Sequence, residues 1–432
     1  MINKNLSVNN DGILLFAGQD TVALLKEYGS PLYLMDEELI RQRCRIYRAA
    51  MQKHFDQRAC PFYASKAASF KEIYRIMKEE QIGVDVVSPG EIATAKAAGF
   101  PMDRAVFHGN NKTDADIAYA MEVGVGCFVV DGEDELYAID RIAAEKKITQ
   151  KILLRLTPGI DTHTYEAVNT GKVDSKFGSA IETGQAEAIT ALALSLPHIA
   201  LEGFHCHVGS QVFDSDTFIR SSAIMMEFIA HIRSTLGYTA KELDLGGGYG
   251  VRYTEEDPEL DIESNIEALS KAVKAQAEAL SLPLPALRLE PGRSIVADAG
   301  MTLYTIGSIK KIPGYKNYIS IDGGMSDNPR FALYGSAYTV CAPDRMNEEA
   351  DFPCSLVGRC CESGDIIQEN IMLPSSLKRG DPIAVLTTGA YNYSMASNYN
   401  RIPRLPIVML KEGTHRLVVA RETVEDVMKN DL

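Results

Sequence analysis

Residues 62–110 read FYASKAASFKEIYRIMKEEQIGVDVVSPGEIATAKAAGFPMDRAVFHGN. Three short apolar runs, Phe62–Lys66, Gly83–Val87 and Val106–Asn110, alternate with two helix-patterned stretches, Ser69–Glu80 and Gly90–Ala98. Apolar runs of four to eight residues joined by amphipathic segments long enough for a crossover are the signature of parallel strands. The same unit continues outward along the chain. Further apolar runs stand at Cys127–Asp131, Lys151–Leu156, Leu201–Val208, Glu242–Gly246 and Ala286–Glu290, with helical patterns over Thr113–Val123, Glu133–Lys146, Gln185–Ser195, Thr217–Thr235 and Ile262–Leu280. Eight strands alternating with helices match the count of a (β/α)8 TIM-like barrel. An open doubly wound sheet is the competing arrangement, but the first strand-to-helix turn lacks the expected GxGxxG.

Beyond about residue 300 the texture changes to closely spaced strands, Tyr304–Lys310, Tyr318–Asp322, Cys354–Gly358, Pro382–Thr387 and Arg416–Val419, which predict a C-terminal all-β domain. Possible strands at Ile13–Phe16 and Pro31–Met35 can join it, so the expected division is a barrel over 31–300 and a β domain built from 1–30 and 301–432. Residues 341–350 contain no recognisable motif.

Composition narrows the function classes. The chain has 432 residues and a net charge of −14, which argues against nucleic acid or an anionic membrane as partner. It contains no apolar run near the ~18 residues needed to cross a bilayer and its start lacks a secretory core, so a soluble cytoplasmic protein is expected. Eight cysteines are dilute in this length and read as reduced thiols. With no CxxC pair, no metal is expected.

In such a barrel, chemistry collects where the strands end. The ends carry Lys66, Asp85 with Ser88, Asn110, Asp131, Arg155, His205 with His207, Gly246–Gly248, and Glu290 with Arg293. Strand termini are polar in any barrel, so no single one of these decides anything. The glycine triplet is more specific, because bare backbone N–H groups there can hold a phosphate, with the Ser210 hydroxyl beside them. Lys66 follows an apolar strand, where a desolvated amine suits a Schiff base with a carbonyl cofactor. Together with the carboxylate of Glu290, these are parts suited to pyridoxal 5′-phosphate.

Nine blocks then carry a family resemblance. They are Tyr63-Ala-Ser-Lys66-Ala, Phe107-His-Gly-Asn-Asn-Lys112, Pro158-Gly-Ile-Asp-Thr-His163, Asp174-Ser-Lys-Phe-Gly178, His205-Cys-His-Val-Gly-Ser-Gln211, Asp244-Leu-Gly-Gly-Gly248, Glu290-Pro-Gly-Arg-Ser294, Cys361-Glu-Ser-Gly-Asp365 and Gly389-Ala-Tyr391. In this order they resemble the fold-type III pyridoxal-phosphate decarboxylases, most closely the diaminopimelate decarboxylases among them.

The resemblance implies a barrel plus β domain, a homodimer with shared active sites, and decarboxylation of meso-diaminopimelate to lysine. It implies Lys66 as the Schiff-base lysine and His207 as the imidazole on the cofactor ring. Asp85, Ser210, Gly246, Gly247, Gly248, Gly292, Arg293 and Tyr391 would bind the cofactor, with Glu290 at the pyridine nitrogen. Arg293, Arg330, Tyr334, Glu362 and Tyr391 would bind the amino-acid substrate, and Cys361, supplied by the other subunit, would be the general acid. The sequence departs from the family at Ala68, where Asn is usual. Competing readings are a decarboxylase of ornithine, arginine or another basic amino acid, which would not need Arg330; an alanine-racemase-like isomerase, disfavoured by Glu290; and an inactive regulatory homologue, disfavoured by retention of Lys66 and Cys361.

Overall fold

The computed structural model describes residues 2–160 and 175–432, so 161–163 and Asp174 of the quoted blocks lie outside the described residues. Eight parallel strands close on themselves: Cys60–Ala64, Gly83–Val86, Ala105–Phe107, Cys127–Val130, Gln150–Thr157, Ile199–His205, Glu242–Asp244 and Ala286–Leu289, the last pairing with the first. A two-residue strand, Ser179–Ala180, lies against the end of the fifth. The TIM-like barrel is therefore the observed fold.

Local chemistry sets the crossovers between strands. Ser88 accepts the Glu91 N–H and Pro89 opens the helix Pro89–Ala97, while Thr113 and Asp116 form a reciprocal capping box at Asp114–Glu122. Asp214 and Asp261 cap the long helices Ser215–Leu236 and Ile262–Ala279, and the first of these stops at Gly237 in the left-handed region. These helices follow the expected segments within about two residues.

All but the fifth strand, which runs on to Thr157, are shorter than expected at their C-terminal ends. Parallel pairing stops at Ala64 with Asp85 and at Val86 with Phe107, after which His108 N–H turns back to the Val86 carbonyl. Lys66, Asn110, His207, Gly246 and Glu290 thus stand one to three residues beyond the ladder, on the loops. Polar side chains extended the apolar pattern into segments where the inter-strand hydrogen bonds had already ended.

The chain divides into two compact units. The barrel unit comprises 43–250 and 260–292; the other takes the residues up to Gln42, 251–259 and 293–432. The expected limits at 31 and 300 differ from these because Leu32–Asp36 is a strand of the second unit, pairing antiparallel with Gly300–Leu303 and parallel with Ile407–Leu410. That unit is built on the 12-residue strand Gly300–Lys311. Its first half pairs with Leu32–Asp36 and Pro382–Leu386, its second half with Asn317–Ile321, with an irregularity between Ile306 and Ser308. A swerve of this kind lets one strand serve two parts of a sheet.

Leu14, Phe16, Leu32, Leu34, Met301, Leu303, Leu386, Val408 and Leu410 form the unit's core. Ile13–Phe16 was expected to pair with this sheet, but Leu14–Phe16 belongs instead to a separate three-stranded sheet. Strands Ile366–Leu373 and Ile407–Lys411 were not anticipated, short helices at Arg330–Tyr334 and Asn392–Met395 interrupt the strands, and another at Val424–Met428 follows the last of them.

Candidate active site

The C-terminal ends of the barrel strands gather an unusually dense set of ionisable groups. Lys66 lies exposed in the helical turn Ser65–Ala67 that follows the first strand. Asp85, at the end of the second strand, is buried. Burial pushes its carboxyl up to about 6, opposed by His108 and reinforced by the negative charge of Glu290.

Glu290, one residue past the eighth strand, is buried between two imidazoles. His108 Nε2 stands 2.6 Å from Oε1 and His205 Nε2 stands 3.1 Å from Oε2. Burial alone would raise this carboxyl, but the two histidines overcome it and hold it well below the usual range. The imidazoles meet edge to face at 4.9 Å. Burial also drives the second neighbouring carboxyl, Asp244, well above its ordinary value, with the charge of Glu290 adding to the shift. Three buried carboxyl groups thus share one end of the barrel, and Glu290 is the one whose ionised form the surroundings favour, while Asp85 and Asp244 are pushed the other way.

His205 and His207 are both held low, first by burial, and His207 further by the cations Lys66 and Arg155. The His207 imidazole is therefore neutral near pH 7. Arg155 lies 4.0 Å from Asp131 and packs its guanidinium 4.4 Å from the Phe177 ring.

The glycine triplet is a close-packed loop. Gly246 (φ +68°) and Gly248 (φ +122°) take backbone conformations closed to most side chains. A Cβ on Gly247 would stand 2.0 Å from the Glu290 carbonyl oxygen, and one on Gly248 would stand 2.4 Å from the Gly209 carbonyl oxygen. Val212 N–H donates to the Gly248 carbonyl and Gly250 N–H to that of Val212, so the loop after Cys206 runs alongside the triplet and brings Ser210 with it. A Cβ on Gly292 would stand 3.0 Å from that of Ala64 and 3.2 Å from that of Ala67, residues on either side of Lys66.

These residues fit pyridoxal phosphate. Asp85 Oδ1 and His205 Nδ1 are buried without hydrogen-bond partners among the described residues, polar atoms for which a bound ring would compensate. The glycine loop offers a cradle with no side chain in the way. His108, His205 and Glu290 also offer donor atoms within 4.8 Å of one another, a spacing open to a metal ion. Here the short contacts set both imidazoles against the Glu290 carboxylate, His205 by a hydrogen bond.

The second unit brings together its own set. Arg293, buried at the start of a short helix, donates to the Tyr253 hydroxyl at 2.7 Å and lies 5.0 Å from the Tyr391 ring. Arg330, also buried, lies 5.3 Å from that ring and 5.6 Å from Tyr334, and donates to Ser336 Oγ at 3.2 Å. Tyr391 has a φ of +55°, strain of the kind that collects at functional sites. Cys361 and Glu362 are exposed on the loop between Phe352–Val357 and Ile366–Leu373.

Several participants were not anticipated in these roles. His108 was overlooked because the third strand was read through to Asn110; ending it at Phe107 puts His108 one residue past its strand, the position that Glu290 occupies on the eighth. Tyr253, which accepts from Arg293, and Tyr338, whose ring meets that of Tyr253 edge to face at 5.5 Å, lie outside the quoted blocks, and their packing from distant segments leaves no local pattern.

Comparison with known proteins agrees with this geometry. Residues 38–297 match the model of the pyridoxal-dependent decarboxylase family, pyridoxal binding domain. The chain is 44% identical over 424 residues to the diaminopimelate decarboxylase of Bacillus subtilis (strain 168), covering 98% of this chain and 96% of that one. It is 42% identical over 423 residues to that of Staphylococcus aureus (strain COL), covering 98% of each. Among solved structures, diaminopimelate decarboxylase from M. jannaschii in complex with L-lysine superposes with a TM-score of 0.91 at 31% identity, covering 100% of this chain and 98% of the other. With its barrel, its lysine turn and its glycine cradle, the chain belongs to the pyridoxal-dependent decarboxylase family.

Proposed function

We propose that the protein decarboxylates meso-2,6-diaminopimelate to L-lysine and CO2, the last step of lysine biosynthesis, as a cytoplasmic homodimer with shared active sites. The observation that carries the reaction type is Glu290, buried and held ionised by His108 and His205. A carboxylate in that state keeps a pyridine nitrogen protonated, which favours decarboxylation over chemistry that needs a weaker electron sink. The substrate is supported by likeness to proteins named diaminopimelate decarboxylase over nearly the whole chain.

In this reading the cofactor is pyridoxal 5′-phosphate, which supplies the electron sink that receives the bonding pair of the departing carboxylate. Lys66 Nζ is the amine that would hold it covalently. Ser210 and the backbone N–H groups of Gly246–Gly248 bind the phosphate, with Tyr391 adding its hydroxyl, while Asp85 and Gly292 complete the binding pocket. His207, neutral, would help hold the cofactor without adding a competing positive charge. Arg293, Arg330, Tyr334 and Tyr391 grip the substrate. Glu362 reads its remote ammonium, and Cys361 Sγ delivers a proton to the α-carbon. The barrel unit is the cofactor-binding domain, and the β unit contributes substrate contacts and dimer interface.

The remote end of diaminopimelate is zwitterionic, so an arginine with a glutamate satisfies both charges, whereas ornithine or lysine leaves the arginine unpaired. An unpaired buried charge costs on the order of 2–5 kcal/mol. The test is an assay of CO2 and lysine from meso-diaminopimelate, beside ornithine and lysine as substrates, in the wild type and Arg330→Ala. A strong wild-type preference for diaminopimelate that collapses in the variant supports the assignment. Equal turnover of all three by the wild type refutes it.

A further inference from the structure

Cys361 and Glu362 are exposed side chains on a loop, yet the roles proposed for them demand sub-ångström placement. The loop is held from beneath by Asp365, whose residue is only 4% exposed. Asp365 Oδ2 accepts the N–H of Cys360 at 2.7 Å, and Oδ1 accepts the N–H of Met325 at 2.6 Å. One carboxylate therefore binds two separate segments. One segment is the residue before Cys361; the other lies five residues before Arg330. The main chain repeats the link, since Arg359 N–H donates to the Gly323 carbonyl and Gly358 N–H to that of Asp365.

The slot is built for this group. A Cβ on Gly358 would stand 2.3 Å from Asp365 Oδ2, and one on Gly324 would stand 2.6 Å from it. Glycine on both sides lets the carboxylate seat against bare backbone. A second buried aspartate, Asp327, holds the other side of the same turn. It accepts Gly324 N–H at 2.8 Å and the Tyr304 hydroxyl at 2.5 Å, while its own carbonyl accepts from Tyr33. Residues 324–327 are thus clamped between two carboxylates, and the chain then passes through Asn328 and Pro329 to Arg330. On the exposed side, Cys361 N–H donates to Asn400 Oδ1 at 2.7 Å.

We propose that Asp365 is the positioning residue for Cys361 and Glu362, tying the loop that bears them to the turn that leads into Arg330. The proposal rests on the role assigned above to Cys361. A displacement of about 1 Å in a reacting group costs on the order of a hundredfold in rate, so a loop released at Cys360 N–H loses turnover without losing its side chains. Asparagine at 365 has nearly the same shape but one acceptor oxygen. Its amide nitrogen opposes a second N–H donor, and one of the two segments comes free.

The experiment uses full-length holoenzyme carrying Asp365→Asn, Cys361→Ser or both, with meso-diaminopimelate as substrate. The expected result for Asp365→Asn is a fall in kcat of at least tenfold, with the cofactor absorbance and thermal midpoint of the wild type. In the Cys361→Ser background the same change is expected to cost less than twofold, because the group it positions is already disabled. Three outcomes overturn the proposal: wild-type kcat in Asp365→Asn; loss of fold or cofactor in step with activity, which marks a merely structural residue; or an undiminished penalty in the double variant. Full activity of Cys361→Ser alone would instead refute the role of Cys361, a failure distinguishable from that of Asp365.

Discussion

Glu290 shows how much chemistry a single side chain draws from its surroundings. Its environment opposes ionisation by burial, and its charge in turn raises the neighbouring carboxyl groups of Asp85 and Asp244. It stays ionised because each oxygen faces an imidazole nitrogen. Glu290→Gln keeps the shape and one acceptor oxygen while removing the charge. Loss of one well-placed electrostatic partner in a water-poor site typically costs about 10²–10³ in rate. We expect kcat for diaminopimelate to drop by roughly a hundredfold while borohydride reduction still traps cofactor on Lys66. Trapping followed by peptide mapping, alongside turnover, checks this. A fully loaded variant with wild-type kcat would remove Glu290 from the mechanism.

The glycine loop after the seventh strand tests the elements in the same way. Gly247→Ala sets a methyl group 2.0 Å from a backbone oxygen that is itself fixed on the eighth strand's exit. Backbone cannot step aside cheaply, and overpacking of this kind costs about 1–3 kcal/mol. The expected result is a cofactor dissociation constant raised by about tenfold or more, with a lowered thermal midpoint. Gly132→Ala, where nothing lies within 4 Å of the added carbon, is the control and should change neither; a cofactor affinity unaffected in both variants would refute the cradle. The sequence displayed this loop openly, because three consecutive glycines have few structural uses.

The eight strands were legible for the same reason, since apolar runs separated by capped helices leave a periodic trace. What the sequence obscured was where each ladder ends, as at Phe107 and His205, because polar residues that face a site continue the alternation of the strand before them. That Pro31–Met35 could join the distant β strands was legible, but which strands Leu32–Asp36 pairs with, some 270 and 370 residues away, and in what register, was hidden. Register between distant segments is decided by core packing, as by Leu34 against Leu303 and Val408, and leaves no local mark.

At the scale of the whole molecule, charge and assembly set the behaviour. Asp327 is fully enclosed, and burial pushes its carboxyl up to about 7, partly offset by the Tyr304 hydroxyl and Gly324 N–H. Because the folded value lies above the unfolded one, its contribution to stability is complete below about pH 4 and is lost as pH rises through 7, a change of roughly 4 kcal/mol. Asp327→Asn should therefore flatten the fall in thermal midpoint between pH 5 and pH 8, and equal slopes in wild type and variant would contradict this. Assembly gives the last test. Cys361 and Glu362 lie in one compact unit and Lys66 in the other, and shared sites between two chains are part of the proposed function. If each site takes Lys66 from one protomer and Cys361 from its partner, inactive Lys66→Ala and inactive Cys361→Ala subunits are complementary. A mixed dimer then holds one site with both residues intact and one site lacking both. Random exchange of equal amounts makes half of the dimers mixed, so recovered activity should approach about a quarter of that of the wild type. If each site were built within a single chain, every site in every mixed dimer would lack one residue and nothing would return. Activity near zero after subunit exchange has been demonstrated, by differential tagging and co-purification, would place both residues in sites made from one chain.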